Sequence, residues 1–435
     1  MNQRRVVCFI NHTAETGGAE FALVRLLETL DRRVWEPVVV FGEDGPAVQI
    51  LRDRSYECYV LTLATEVGKA RRESLRGLRF GQCQAALGYV GTLWKFIRDR
   101  AVDVVHTNSM KAHVLGGLAA RLARVPFVWH LRDSLHPACL PNQAVRVMRG
   151  LARTLPDSLI TVSRSVAVDA LGPQRFSRAC VVYDGVDTAL FEGDRPSPPS
   201  PELRQCWTVG IVGRLCPWKG QHVFLKAAEN LVRKGVSVRF EILGGPLFGQ
   251  ESYEKTLREM ARSVDLEGRV KFEGFVHDVP ERIRQWDVLV HASTAPDPCP
   301  NVVIEAMASR VPVVGASSGG VPELLDNGRC GVLFEPGDAE GLSSGIHALL
   351  RNPSERVRLA GDAFSRARDL YRSERVAREV EQEWQRVCAL RPRPHKRWPW
   401  IESGPDVLRA KKARGLASAS RKTEVGGRLY HSRSL

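Results

Sequence analysis

Asp297-Pro298-Cys299-Pro300-Asn301-Val302-Val303-Ile304-Glu305 sets two carboxylates eight positions apart across a change of local structure. The two prolines end a loop, since proline fixes φ and lacks a backbone donor. Asn301 onward has no breaker and opens a helix, so Asp297 precedes that helix and Glu305 lies in its early turns. Apolar runs at 288–291 and 311–315 flank this segment and have the length of buried strands. Strand, loop, helix and strand make one crossover of a parallel sheet. The free N–H groups at such a helix start suit an anion, the candidate backbone being Pro300, Asn301 and Val302, of which Pro300 itself carries no N–H. Glu305 can accept from a pair of ribose hydroxyls, and Asp297 can contact a sugar hydroxyl. Taken alone, the same residues also read as a solvated loop aspartate and an ordinary helical glutamate.

The rhythm extends outward in both directions. Strands are expected at 6–11, 37–41, 58–63, 102–106, 127–130, 159–162 and 180–183, with amphipathic helical stretches at 19–30, 87–98 and 112–124 between them. Pro196, Pro198, Pro199 and Pro201 interrupt the pattern and mark a linker over 192–205. It then restarts with strands at 209–212, 238–243, 270–275, 288–291, 311–315 and 331–334. The fold class is therefore α/β, with two Rossmann-like domains over 1–191 and 206–370. No sequence repeat relates the halves. From 338 to about 390 the chain reads as almost wholly helical, and beyond that it changes character.

Composition bounds the function classes. The 435 residues are 43% hydrophobic, enough for two cores, and no apolar run approaches the roughly 20 residues of a membrane span. Met1 to Arg5 is short and polar and leads directly into a core strand, so no signal peptide is expected. The ten cysteines stand singly without metal-site spacing, which fits a reducing, cytoplasmic compartment. The net charge is +14, but 391–435 holds 12 Lys/Arg against 3 Asp/Glu. That basic tail has little apolar surface after Trp400 and is expected to be disordered or loosely helical.

Two further segments bear on anion binding. Gly213-Arg214-Leu215 ends a strand, and Pro217-Trp218-Lys219-Gly220 leads into a helix near Gln221. Arg214 and Lys219 thus stand at the carboxyl edge of a parallel sheet, where open α/β folds bind ligands; on their own they read equally as solvated surface cations. After the first strand, Gly17-Gly18-Ala19-Glu20 opens a helix whose backbone can approach a phosphate closely. This is not G-x-G-x-x-G, and no dinucleotide fingerprint is present.

Together these segments resemble the donor site of retaining family 4 glycosyltransferases of the GT-B fold (glycosyl transferases group 1), over about residues 6–390. The D-x7-E segment with Ala306-Met307-Ala308, Pro312-Val313-Val314 and Gly319-Gly320-Val321-Pro322-Glu323 is its most specific part, followed by the G-R-x4-K-G run. The resemblance implies two facing Rossmann-like domains around a cleft and a helix over 371–390 that crosses back to the first domain. It gives Arg214, Lys219, Gly17 and Gly18 to the donor diphosphate, Glu305 to the ribose and backbone near Val276 to the base. His130, ending the run Phe127-Val128-Trp129-His130, resembles the family's active-site histidine, and Asp297 stands where the family usually has Glu, one methylene longer. Asp103 to Ser109, which includes His106, also follows the pattern. The implied reaction is same-face attack, with the leaving phosphate helping to take the acceptor proton. Nothing resembles a D-x-D metal site, so neither metal nor other cofactor is expected.

The expected activity is hexosyl transfer from a nucleotide sugar to a lipid-linked or saccharide acceptor, in cell-surface polysaccharide or glycolipid synthesis. Lys69 to Phe80 is basic with interleaved apolar residues and reads either as a solvated face or as a segment lying on the anionic inner face of a membrane. Specific nucleic-acid binding is not expected, because aromatics are sparse beyond Trp398 and Trp400. Two alternatives stand beside this reading: a sugar-nucleotide epimerase on the same fold, and a catalytically silent surface-binding protein.

Overall fold

The computed structural model describes residues 4–64, 80–191, 206–247, 249–276 and 278–391. The linker 192–205, the basic stretch up to residue 79 and the tail from 392 lie outside the described residues.

In the first domain the strands are β1 (Arg5–Asn11), β2 (Trp35–Phe41), β3 (Glu57–Val60), β4 (Val104–Thr107), β5 (Phe127–Leu131), β6 (Ser158–Thr161) and β7 (Cys180–Val181). They pair in parallel in the order β3-β2-β1-β4-β5-β6-β7. Its helices are α1 (Gly18–Thr29), α2 (Pro46–Asp53), α3 (Phe80–Asp99), α4 (Met110–Ala123), α5 (Asn142–Thr154) and α6 (Arg164–Leu171). The second sheet is built from β8 (Trp207–Val212), β9 (Val238–Leu243), β10 (Val270–Gly274), β11 (Val288–His291), β12 (Val313–Ala316) and β13 (Val332–Phe334). Its order is β10-β9-β8-β11-β12-β13, again all parallel. Its helices are α7 (Gln221–Arg233), α8 (Glu251–Met260), α9 (Val279–Arg284), α10 (Asn301–Ala308), α11 (Val321–Leu324), α12 (Ala339–Arg351), α13 (Pro353–Leu370) and α14 (Ser373–Leu390).

Strand order reverses between β1 and β4 in one sheet and between β8 and β11 in the other. At such a reversal the outgoing helices leave on opposite faces and open a crevice beyond the strand ends. The central strands are covered on both faces, as parallel sheets require: Val38, Val39, Val40 and Phe41 are all buried. Strands expected at 58–63 and 180–183 stop early, at Val60 and Val181. Both lie at sheet edges with one partner each, so fewer ladder bonds extend them. The strand expected from 311 begins at Val313, after Pro312, which has no N–H for the ladder.

The last helix ties the body together. Val376, Ala377, Val380, Trp384 and Val387 of α14 share a core with Val7, Phe9 and Trp35 of the first sheet. Trp384 is fully buried, its ring 5.1 Å from that of Trp35 and 5.6 Å from that of Phe9. A second apolar cluster runs from Leu131 and Val162 to Cys299 and Met307, so the two sheets also share buried surface.

Candidate active site

The loops after the carboxyl ends of both sheets meet. After β8, Pro217–Lys219 forms a 3-10 turn that stops at Gly220, the residue before α7. Gly220 has φ +73°, and a Cβ there would lie 1.8 Å from the Ala292 carbonyl oxygen, so only glycine fits. This turn delivers Lys219, whose Nζ lies 2.5 Å from Asp297 Oδ2 and 4.4 Å from the Trp218 ring centre. His291 Nε2 is 3.0 Å from the same carboxylate oxygen, and Ser293 Oγ is 3.1 Å from His291 Nε2. Burial alone would raise the Asp297 carboxyl; the Lys219 ammonium and the His291 hydrogen bond outweigh it and hold the group well below the usual carboxylate range. Gly319, at φ +63°, packs on the Asp297 backbone, and Gly320 N–H donates to the Asp297 carbonyl at 2.8 Å. Arg214 is half-buried at the mouth of the same turn, its carbonyl accepting from Gln221 Nε2 at 3.0 Å. Val276 follows edge strand β10 and packs partly buried against the shared core.

Glu305 lies in α10, and its carboxylate pairs across the domain boundary with Arg25 of α1 at 2.9 Å. Beside it, Asn301 Nδ2 donates to the Gly18 carbonyl at 3.1 Å. Gly17 caps α1 and Pro300 caps α10, neither with a side-chain oxygen. Two helix N-termini, each with backbone N–H groups left over by helical pairing, therefore converge from opposite domains. Their positive ends favour an anion between them. Glu20 lies in the first turn of α1, where burial pushes its carboxyl up to about 7 against the opposing pull of backbone N–H groups and Arg132.

His130 ends β5 and is fully buried. Its Nδ1 is 3.1 Å from His106 Nε2, and His106 Nδ1 accepts from Trp384 Nε1 at 3.0 Å. Burial, reinforced by Arg132, pushes His106 down to about 3 and holds His130 well below its ordinary value, so both rings are neutral. Arg132, two residues beyond His130, makes a buried ion pair with Asp184.

The structure thus groups Lys219 with Asp297, and Gly17 and Gly18 with Asn301 and Glu305, while His130 sits deeper at the end of β5. Arg25, Arg132, His291 and Trp384 are partners that the sequence reading did not single out. For Arg25 a signal was present: it lies seven residues after Gly18, two turns along the same face of the expected helix. His291 and Arg132 carried none, since their roles depend on which loops meet. Among the described residues, no group of three or more His, Cys, Asp or Glu is arranged to hold a metal ion. No described helix is long and apolar enough to cross a membrane.

Comparison with known proteins agrees with this geometry. Residues 16–190 match the profile Glycosyltransferase Family 4, and residues 199–366 match Glycosyl transferases group 1. The chain is 25% identical, over 78% of its length and 86% of the relative's, to the UDP-Gal:alpha-D-GlcNAc-diphosphoundecaprenol alpha-1,3-galactosyltransferase of Escherichia coli. It is 27% identical, over 80% and 85%, to the phosphatidyl-myo-inositol mannosyltransferase of Mycolicibacterium smegmatis. Anabaena HepE in complex with UDP-glucose superposes with a TM-score of 0.74 at 27% identity, over 88% of this chain and 99% of that one. With one profile on each sheet and a neighbour of the same two-domain build, the chain belongs to the GT-B glycosyltransferases of family 4 and group 1.

Proposed function

We propose that this glycosyltransferase moves a hexosyl group from a nucleoside-diphosphate sugar to an acceptor hydroxyl with retention of anomeric configuration. The observation that carries the donor reading is the meeting of the α1 and α10 N-termini at the Gly18–Asn301 contact, 3.1 Å wide. A diphosphate between them would meet backbone donors from Gly17, Gly18, Pro300's successor Asn301 and Val302, with Arg214 and Lys219 adding charge. Charge-assisted bonds of this kind contribute about 1.5–3 kcal/mol each. They would stabilise the charge that develops on the leaving phosphate, the task a divalent cation performs elsewhere, so we propose a metal-independent reaction without a further cofactor. Glu305 would receive the ribose hydroxyls, Val276 would lie by the base, and His130 and Asp297 would meet the transferred sugar. Acceptor attack would come from the same face as departure, the leaving phosphate taking the proton.

The relatives named above act on a diphosphoundecaprenol sugar and, by name, a phosphatidylinositol. We extend this to a lipid-linked or saccharide acceptor here, in surface polysaccharide or glycolipid synthesis. The enzyme would work in the cytoplasm, held to the anionic inner face of the membrane through Lys69 to Phe80.

The test is a thermal-shift panel with UDP, GDP and ADP and their common sugars, with Arg214→Ala and Glu305→Ala alongside. A nucleotide at about 100 times its dissociation constant stabilises the fold by about 2.7 kcal/mol. One nucleotide should shift the wild type and neither variant. A donor turned over to an epimer without any acceptor would overturn the transferase mechanism, and an inverted anomer in the product would overturn retention.

A further inference from the structure

Three neutral or donor-only rings stand in line behind the cleft. Trp384 Nε1 donates to His106 Nδ1 at 3.0 Å, and His106 Nε2 lies 3.1 Å from His130 Nδ1. An indole nitrogen can only donate. His106 Nδ1 must therefore be bare, which puts the single proton of the neutral ring on Nε2. That proton lies between His130 Nδ1 and the Asn108 side chain, and a second proton on His130 Nδ1 would face it directly at 3.1 Å, so this nitrogen is also bare and the His130 proton resides on Nε2. Arg132 Nη2, 3.5 Å from His130 Nδ1, is a further donor on the same side and acts in the same sense. His130 is 0% exposed, and its Nε2 has no partner among the described residues. A buried N–H kept unsatisfied costs about 1–3 kcal/mol, which is a reason to expect an oxygen there during turnover.

We propose that Trp384 is a positioning residue for glycosyl transfer: through His106 it fixes His130 as the Nε2–H tautomer, so that His130 meets the transferred sugar as a hydrogen-bond donor. The proposal rests on the reading that His130 contacts that sugar. It also assigns the crossing helix α14 a task beyond closing the core. The helix that follows the nucleotide-binding domain sets the hydrogen-bonding sense of a residue in the acceptor-side domain.

The experiment uses the full chain labelled with nitrogen-15, and reads imidazole tautomers by long-range proton–nitrogen correlation, with His106 and His130 assigned by substitution. Trp384→Phe removes the donor and keeps an aromatic ring; Val380→Ala, on the same buried face of α14, loosens packing without touching the relay. In the wild type and in Val380→Ala both rings should show the Nε2–H pattern. In Trp384→Phe both should become tautomer mixtures, with kcat down about tenfold, the weight of one hydrogen bond, and the donor KM unchanged. An Nδ1–H pattern for wild-type His130 overturns the proposal. So does a Trp384→Phe protein whose tautomers are unchanged, whatever its activity, or one whose tautomers mix while kcat holds. Full activity in His130→Ala would instead overturn the reading of His130 beneath it, while leaving the tautomer assignment standing.

Discussion

Arg25 of α1 and Glu305 of α10 form an ion pair across the domain boundary at 2.9 Å, with side chains only 19% and 13% exposed. Glu305 is the residue we assign to the ribose, so the pair occupies the carboxylate that the nucleotide requires. A ribose whose hydroxyl pair takes both Glu305 oxygens displaces Arg25 from Oε1, and that exchange weakens donor binding by whatever the pair contributes. Arg25→Ala is therefore expected to bind the nucleoside diphosphate that shifts the wild type about threefold to fivefold more tightly, the weight of a partly exposed ion pair. Titration calorimetry reads it directly. Weaker binding would mean instead that Arg25 touches the nucleotide.

Asp297 joins Lys219 and His291 through one oxygen, at 2.5 and 3.0 Å. Its folded carboxyl is held below the ordinary range, so its stabilising contribution is complete above about pH 4 and is lost as the pH falls further. Asp297→Asn leaves the ammonium of Lys219 without its counter-charge and should cost about 2–3 kcal/mol at pH 7, less than a fully buried pair because Lys219 is 20% exposed. The gap between variant and wild type should narrow steadily below pH 4. Urea denaturation at pH 7 and pH 3 checks this, and an equal gap at both would count against the pairing as the cause.

Much of this was legible in the chain because strands and loops announce themselves locally. Every expected strand is present, since runs such as Val38-Val39-Val40-Phe41 are too apolar to lie anywhere but a buried parallel sheet. The Asp297–Glu305 segment likewise betrays its loop-to-helix change through its prolines, and the helix begins at Asn301 as read. Less visible was α5 (Asn142–Thr154), whose buried Ala144, Val145 and Met148 are outnumbered by exposed basic and polar residues. The pairings could not be read at all. Arg25 shares the Gly18 face of its helix, but nothing local shows that it will meet Glu305, or that Asp297 will be neutralised by a lysine 78 positions earlier. Those facts arise when two sheets, each folded by its own pattern, bring their strand ends together.

Glu20 supplies the opposite pH signature to Asp297. Its carboxyl is raised to about 7 by burial, from an ordinary value of 4.5. Between those values the folded chain holds a proton that the unfolded chain has lost, so stability falls as pH rises through this window and stays reduced above it. Glu20→Gln carries no charge at any pH and should remove that slope. At pH 8 the variant should be more stable by on the order of 2 kcal/mol, since a tenfold change in proton affinity corresponds to about 1.4 kcal/mol and the group is not wholly buried. At pH 4.5 the two proteins should match. Melting temperatures across pH 4.5–8 decide it, and a parallel offset at all pH values would show that the carboxyl is ionised throughout.

Glu323, in the short helix α11, reaches into the first domain and accepts from the backbone N–H groups of Arg164 and Ser165 at 2.8 and 2.6 Å, and from the Tyr183 hydroxyl at 3.1 Å. It thus caps α6 from another domain, where the negative charge also meets the positive end of that helix. Gly320, three residues earlier, packs against the Pro298 carbonyl and Ser163, so the clasp adjoins the loop that carries Asp297. Removing the carboxylate has two consequences that separate by variant. Glu323→Gln keeps an acceptor oxygen for one or two of the donors and should cost about 1 kcal/mol, whereas Glu323→Ala strands all three and should cost about 2–3 kcal/mol. The loss should also loosen the α11 side of the domain boundary. Donor-free Glu323→Ala should therefore be cleaved faster by limited proteolysis, and the nucleoside diphosphate that shifts the wild type should restore protection by bridging the domains at α1 and α10. Equal stability of the Gln and Ala variants would show that Glu323 acts through charge alone and not as the cap of α6.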